Sequence, residues 1–254
     1  MNPANPLLQA HDPGRLIRRW RRVAAAARLE MSAFSESGGL PLFVLHSPAD
    51  RPPAPSLYFS AGIHGDEPAA TEGLVAWAEQ NLHLLRQMTV VIFPCLNPWG
   101  IANNSRFDAR GRDLNRCFGR LKAPQVRDQI RWLRGRRFDA AFTLHEDYDA
   151  RGIYIYEVAS RKPFWAEELI AAARPHLPAD TRRTIEGRPA KNGIVRRRIT
   201  HDLMPEWPEA FHLHFSLACR TFTIETPSEF SIDDRVAAQV AVLQRAAGLA
   251  RSLA

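Results

Sequence analysis

Short apolar runs that alternate with helical patterns constrain the fold of this chain more than any other sequence feature. Such runs are typical of β-strands that are buried on both faces, and they lie at residues 40–45, 57–61, 89–93, 140–144, 153–158 and 221–224. Helical patterns lie at residues 68–85, 124–133, 163–173 and 233–253. Proline begins the first three, where its missing N–H costs nothing. This alternation predicts a three-layer α/β/α fold with a mixed, mostly parallel central sheet.

The chain is long enough for one sizeable core. Its 254 residues, 45% of them hydrophobic, suit a single domain over residues 1–254, with residues 1–30 as a helical lead-in. The 3 cysteines are widely spaced, which argues against a disulfide framework and suits a reducing compartment. Charged residues interrupt the N-terminal segment, and no run approaches the roughly 18 apolar residues that span a membrane. We therefore expect a cytoplasmic protein without a membrane partner.

The net charge of +7 comes from an excess of arginine. Such an excess is compatible with an anionic partner, and equally with the codon composition of the genome. The arginine clusters at residues 134–137 and 196–198 are short and lack interleaved aromatic residues. We therefore expect no nucleic-acid partner. The sequence does not predict the oligomeric state.

Metal-ligating side chains follow two of the predicted strands. His64 and Glu67 leave the strand at residues 57–61 in a His-x-x-Glu spacing, and His145 ends the strand at residues 140–144. Ligand sites in α/β sheets gather at such strand ends. A catalytic zinc ion takes three nitrogen or oxygen ligands from the protein and keeps one position open for water. Taken alone, the pair is better explained by a helix-capping carboxylate beside an incidental histidine, and the default explanation for His145 alone is a hydrogen-bonded histidine at a strand end.

Further motifs follow in a fixed order along the chain. They are Asn97-Pro98-x-Gly100, Arg106, Asp113-x-Asn115-Arg116 and, in a late strand, Glu225. Together with His64, Glu67 and His145, this ordered set resembles the zinc carboxypeptidase superfamily, which includes the succinylglutamate desuccinylase and aspartoacylase branch. The resemblance covers roughly residues 57–158 and 221–227.

The resemblance implies a role for each matching residue. His64, Glu67 and His145 would bind one Zn²⁺ ion, and Asp113 would orient His64. Arg106 would polarise the scissile carbonyl and stabilise the oxyanion. Asn115 and Arg116 would hold a substrate carboxylate, a task for which a guanidinium group is well shaped. Glu225 would act as the general base and then as the acid.

The chain departs from the digestive carboxypeptidases at one position. Those enzymes carry a tyrosine about 20 residues before the catalytic glutamate, whereas this chain has no tyrosine after Tyr156. The phenol is therefore missing, or replaced by Tyr148, Tyr154, Tyr156 or a residue such as His201. For Tyr148, lining the substrate site and packing at the rim are both open.

The resemblance implies a zinc metallohydrolase. Three hypotheses about the function remain open. The first is a metallocarboxypeptidase that removes a C-terminal residue from a small peptide. The second is a deacylase of N-acyl amino acids. Both substrates carry a free carboxylate. The third, from another class, is a basic binding module that keeps the fold without turnover.

Overall fold

The computed structural model describes residues 9–49, 54–119, 122–159, 162–196, 198–202 and 205–253. Its helices are α1 (Pro13–Ala27), α2 (Pro68–Gln80), α3 (Leu82–Gln87), α4 (Pro98–Asn103), α5 (Pro124–Leu133), α6 (Ala166–Ala173), α7 (Glu209–Ser216) and α8 (Ile232–Arg251), and a 3-10 turn spans Leu114–Arg116. Its strands are β1 (Glu30–Ser37), β2 (Leu40–His46), β3 (Ser56–Ser60), β4 (Thr89–Phe93), β5 (Ala140–Asp147), β6 (Tyr154–Ala159), β7 (Thr184–Ile185), β8 (Arg188–Pro189), β9 (Ile194–Arg196) and β10 (Arg220–Pro227).

Within these residues, eight strands form the central sheet in the order β1-β2-β4-β3-β5-β10-β6-β9. Strands β4, β3, β5 and β10 run parallel to one another, and β6 runs parallel to β9. The pairs β1 with β2, β2 with β4, and β10 with β6 are antiparallel. The predicted fold class, a mixed and mostly parallel sheet between helices, is confirmed.

Side chains of the central strands point alternately to the two faces of the sheet, so each face packs into its own core cluster. In β3, Phe59 packs into the larger core cluster with α1, α2, α6 and α8, whereas the adjacent Tyr58 packs into a second cluster with α5 and α7. In β10, Phe222 and Ile224 join the larger cluster. Because side chains alternate along a strand, Thr221, Thr223 and Glu225 point to the opposite face. That face holds the cavity described below.

Two of the differences from the sequence expectation have a local physical reason. The helix expected at residues 68–85 is interrupted at Asn81, whose side chain donates to the carbonyl of Trp77 (2.9 Å) and so competes with the helical hydrogen bonds. Strand β1 was not expected, because its sequence is polar and it lies at the edge of the sheet. Of the N-terminal lead-in, the structure contains α1, and residues 1–8 lie outside the described part. None of the described helices is long and apolar enough to cross a membrane.

Candidate metal centre and active site

The loop between β3 and α2 carries His64 and Glu67. It packs so closely on the segment after β4 that a Cβ atom on Gly65 would lie 1.9 Å from the backbone of Gly100. The amide of Gly65 donates to the carbonyl of Ser105 (2.9 Å). The Asn97-Pro98-x-Gly100 motif therefore supports the loop, and glycine at both positions allows the two backbones to approach.

The carboxylate of Glu67 does not cap the helix that follows it. Glu67 precedes α2 but makes no side-chain capping bond. Instead, Glu146 of β5 accepts a hydrogen bond from a backbone amide at the N-terminus of α2, that of Ala69 (2.6 Å). Glu146 also forms an ion pair with Arg235 of α8. The helix-capping explanation for the His-x-x-Glu pair is therefore wrong, and the Glu67 carboxylate is available for another partner.

That carboxylate lies between two imidazoles. Nδ1 of His64 is 2.6 Å from one oxygen of Glu67, and Nδ1 of His145 is 2.9 Å from the other. His64 and Glu67 are each 2% exposed, and His145 is 4% exposed. Their ligand atoms lie within 4.8 Å of one another. A tetrahedral zinc ion with bonds of about 2.0–2.1 Å brings its ligand atoms to roughly 3.4 Å from one another. Two nitrogens and a carboxylate oxygen converging in a buried place fit such an ion.

The charges in this group depend on each other. Burial alone would lower the pKa of His64, but the charge of Glu67 and the hydrogen bond to Asp113 raise it to about 9. Burial alone would raise the pKa of Glu67, but the positive charges of His64 and His145 lower it to about 2. Without an ion, these shifts favour protons on the imidazole side and an ionised Glu67. A divalent cation would replace that positive charge and release the protons.

Asp113 connects the metal-ligand group to Arg106. One oxygen of Asp113 lies 3.1 Å from Nε2 of His64, and the other accepts from Nη2 of Arg106 (3.0 Å). Arg106 Nη1 also lies 3.7 Å from Glu67. Although burial opposes ionisation, the interactions with His64 and Arg106 hold the pKa of Asp113 well below its ordinary value. An ionised Asp113 can fix the orientation of both side chains.

The sequence analysis missed Asp108, which organises the loop that carries Arg106 and Asp113. Its side chain is buried and accepts from the backbone amides of Arg110 (2.9 Å) and Arg112 (3.0 Å), the guanidinium of Arg112 (2.6 Å) and the amide of Gln125 (3.0 Å). An aspartate three residues before a glycine, Gly111 with a φ of 70°, is a turn signal that could have identified it.

We expect Asp108→Asn to lower kcat/KM by about 10- to 100-fold, the range for residues that orient the groups of a metal site. An amide cannot accept all of these hydrogen bonds, so Arg106 and Asp113 would lose their fixed positions. The measurement is kcat/KM together with zinc content, which should stay unchanged. The control is Asp139→Asn, since Asp139 accepts from the amide of Ser56 at the other end of the sheet. Equal losses of kcat/KM in both variants would contradict the positioning role.

Glu225 stands beside His145 on the neighbouring strand. The two residues are register partners in the parallel β10–β5 pair, and Tyr154 is the partner of Glu225 in β6. Burial raises the pKa of Glu225 well above its ordinary value; the positive charge of His145 opposes this effect and the negative charge of Glu67 adds to it. A raised pKa is a common property of carboxylates that exchange protons during catalysis.

One cavity of about 290 Å³ collects seven of the nine predicted site residues. They are His64, Glu67, Arg106, Asn115, Arg116, His145 and Glu225. Asn115 accepts a hydrogen bond from the backbone amide of Glu209 (2.9 Å), which leaves its NH₂ group as a donor. Arg116 donates to the carbonyl of Asn115 (3.0 Å).

The other two predicted residues lie outside the cavity lining. Asp113 lies behind His64, as a residue that orients it would. Tyr148 is 56% exposed, and its hydroxyl donates to the carbonyl of Asp66 (3.3 Å). Of the proposed replacements for the missing tyrosine, Tyr154 and Tyr156 line the cavity, whereas the ring of His201 stacks on Phe215 with the centroids 4.0 Å apart. Tyr154 and Tyr156 are therefore better placed than Tyr148.

Comparisons with known proteins agree with this geometry. The model of the succinylglutamate desuccinylase/aspartoacylase catalytic domain matches residues 53–177. Carboxypeptidase SOL1 of Arabidopsis thaliana is 34% identical over 149 residues, a match that covers 49% of this chain and 30% of that protein. A metallo-carboxypeptidase structure from Burkholderia cenocepacia superposes with a TM-score of 0.73 at 16% identity, covering 95% of this chain and 70% of that one. A candidate metallopeptidase from Shewanella amazonensis has a TM-score of 0.85 at 22% identity, covering 95% and 94%.

The family match and the carboxypeptidase relative support the zinc carboxypeptidase superfamily. The chain is similar to hydrolases of the metallocarboxypeptidase-like and desuccinylase/aspartoacylase kinds, and its His-Glu-His group could hold a metal ion. The chain spans less than a third of the length of the curated relatives that it matches. The roles of the individual residues, the identity of the ion and the substrate are proposals.

Proposed function

We propose that this chain is a zinc-dependent metallocarboxypeptidase that removes the C-terminal residue of a small peptide. The observation that carries the proposal is the position of Asn115 and Arg116. Both line the cavity that also holds His64, Glu67, His145 and Glu225. A free NH₂ group and a guanidinium group are suited to a terminal carboxylate. A peptide held in this way would place its last amide bond near the metal ligands.

In this mechanism His64, Glu67 and His145 would hold a zinc ion, and Asp113 would fix the ring of His64. A zinc ion bound there supplies Lewis acidity, which makes water more acidic and polarises a carbonyl group. Glu225 takes a proton from the attacking water and later delivers it to the nitrogen of the leaving amino acid. The guanidinium of Arg106 donates to the oxyanion of the tetrahedral intermediate, an interaction that typically contributes about 10²–10³ in rate.

A second candidate is a deacylase that acts on N-acyl amino acids. The match of residues 53–177 to the desuccinylase/aspartoacylase domain favours it. The metal ligands and Glu225 would keep the same roles. Asn115 and Arg116, which we call the carboxylate clamp, would also keep theirs, because an N-acyl amino acid likewise carries a carboxylate next to an amide. A binding module without turnover has less support, since the relatives are hydrolases.

The two activities are separated by a substrate panel offered to the zinc-loaded protein. The panel contains N-blocked dipeptides with a free C-terminus, the same dipeptides as C-terminal amides, and N-succinyl and N-acetyl amino acids. We expect release of the last amino acid from the free dipeptides and not from their amides, because a C-terminal amide has no negative charge for Asn115 and Arg116 to bind. Glu225→Gln protein, prepared identically, controls for contaminating enzymes. Cleavage of the acyl amino acids alone would favour the deacylase, and cleavage of neither class would overturn both candidates.

A further inference from the structure

A buried acidic side chain lies on the cavity side of the sheet, outside the metal-ligand group. Glu209, the first residue of α7, is 1% exposed. One of its oxygens accepts hydrogen bonds from the hydroxyl of Tyr58 (2.5 Å) and the side-chain amide of Gln129 (2.7 Å). The other oxygen accepts from the hydroxyl of Ser60 (2.7 Å). These donors belong to β3 and α5, so the side chain of Glu209 fastens the beginning of α7 to two other elements.

The partners of Glu209 do not include a positive charge. All three are neutral, and none of the basic residues that the structure describes forms an ion pair with it. A buried acidic group opposes folding unless its hydrogen bonds are all made, and apolar groups of the same shape would pack there at lower cost. The presence of Glu209 therefore indicates a role besides packing.

The backbone amide of the same residue contacts the carboxylate clamp. The N–H of Glu209 donates to Oδ1 of Asn115 (2.9 Å). This N–H is at the first position of α7, where the helix itself offers no carbonyl to accept from it. Because Oδ1 of Asn115 is occupied as an acceptor, its NH₂ group is the end that can donate to an anion in the cavity. The opposite orientation would turn the oxygen toward the anion and repel it.

Asn115 is held from two sides. Its backbone N–H donates to Oδ1 of Asp113 (2.9 Å), on the side of the metal ligands, and its side chain is held by α7. The residue before α7, Pro208, makes no side-chain capping bond to the helix. The fastening of the α7 N-terminus therefore depends on the side chain of Glu209.

We propose that Glu209 is a positioning residue for the carboxylate clamp. Its buried side chain fixes the first amide of α7, and that amide holds Asn115 with the NH₂ group toward the cavity. This inference rests on the proposed function, because it takes Asn115 as a donor to the substrate carboxylate.

The test is the carboxylate preference of the zinc-loaded protein, measured by calorimetry without turnover. The preference is the ratio of the dissociation constants of phenylalaninamide and phenylalanine, and of leucinamide and leucine, since each pair has one side chain and differs in the C-terminal charge. We expect Glu209→Ala to lower this preference about 10-fold, as the loss of one hydrogen bond to a charged group allows, with unchanged zinc content. Glu209→Gln should restore most of it, because glutamine can accept from Tyr58 and Gln129 and donate to the hydroxyl oxygen of Ser60.

A double-mutant cycle with Asn115→Ala tests whether Glu209 acts through Asn115. Asn115→Ala alone should lower the preference by about the same factor as Glu209→Ala, and the double variant should lower it no further. Losses that multiply in the double variant would show that Glu209 acts elsewhere. That result would overturn the positioning role, and so would an unchanged preference in Glu209→Ala or a failure of Glu209→Gln to restore it.

Tyr58→Phe decides the matter if Glu209→Ala does not fold. It removes one of the three donors to Glu209 and should lower the preference about 3-fold; an unchanged preference would contradict the proposal. The matched control is Glu157→Ala, which removes another buried carboxylate, 2% exposed, in β6 and outside the cavity lining. It should leave the preference unchanged, and a loss equal to that of Glu209→Ala would make the effect one of general destabilisation.

The unmodified protein separates the two proposals. If it binds phenylalanine and leucine no better than their amides, or binds none of the four, the carboxylate clamp fails, and the proposed function and the positioning role fail with it. If the preference is present but does not respond to the changes at Glu209 and Tyr58, the positioning role fails while the proposed function stands.

Discussion

Glu225→Gln is expected to reduce kcat by about 10²- to 10⁴-fold, the contribution typical of a general acid–base residue, without loss of bound zinc. The amide of glutamine has nearly the shape of the carboxylate but cannot accept a proton at neutral pH. Glu225 is not a member of the His64, Glu67 and His145 group whose ligand atoms converge. Removal of its charge should therefore affect proton transfer and leave the metal site intact.

The measurement is kcat on the best substrate of the panel, with zinc content determined on the same sample. Glu229→Gln is the matched control, because it makes the same change four residues later at an exposed position of the loop before α8. The control should keep full activity. If Glu225→Gln protein retains more than about a tenth of the activity, Glu225 is not the base. If the variant loses zinc, Glu225 is a metal ligand instead.

The fold could be predicted because apolar runs in the sequence indicate which strands are buried, and because these runs alternate with helical patterns along the chain. Strand β4 and helix α5 begin and end where the sequence pattern does, at Thr89–Phe93 and Pro124–Leu133. The position of the candidate site follows from the same pattern, since His145 and Glu225 lie in the paired part of two parallel strands, two residues before the strand ends, and His64 follows the end of a third.

Other features depend on contacts between distant segments, which the sequence pattern does not record. Asp108 has an effect on Arg106 only because the loop folds around it, and Glu146 reaches the α2 N-terminus across the sheet. That the Thr221 hydroxyl has no hydrogen-bond partner among the described residues is visible only once the strands are assembled. Tyr148 shows the converse: its proximity to His145 in the chain suggested a place in the cavity, but β5 has ended by that point and the side chain turns outward.

His145→Ala is expected to abolish stoichiometric zinc binding. Nδ1 of His145 and Nδ1 of His64 lie on either side of the Glu67 carboxylate, 2.9 Å and 2.6 Å from its two oxygens. Without His145 only two protein ligands remain, fewer than the three that catalytic zinc sites use. Alanine also removes one of the positive charges next to Glu67, so the buried carboxylate loses part of the charge that keeps its pKa low.

Zinc content after dialysis and the rise in Tm on zinc addition measure this effect. A ligand that binds only the folded state raises Tm, and the rise grows with the logarithm of its affinity, so the unmodified protein should show a rise that the variant lacks. His83→Ala, at an exposed position of α3, is the control and should retain both the metal and the rise. Full zinc stoichiometry in His145→Ala protein would move the third ligand to another residue. It would also remove the reason for placing the proton-transfer residue at Glu225, whose position beside the ion follows from its register with His145.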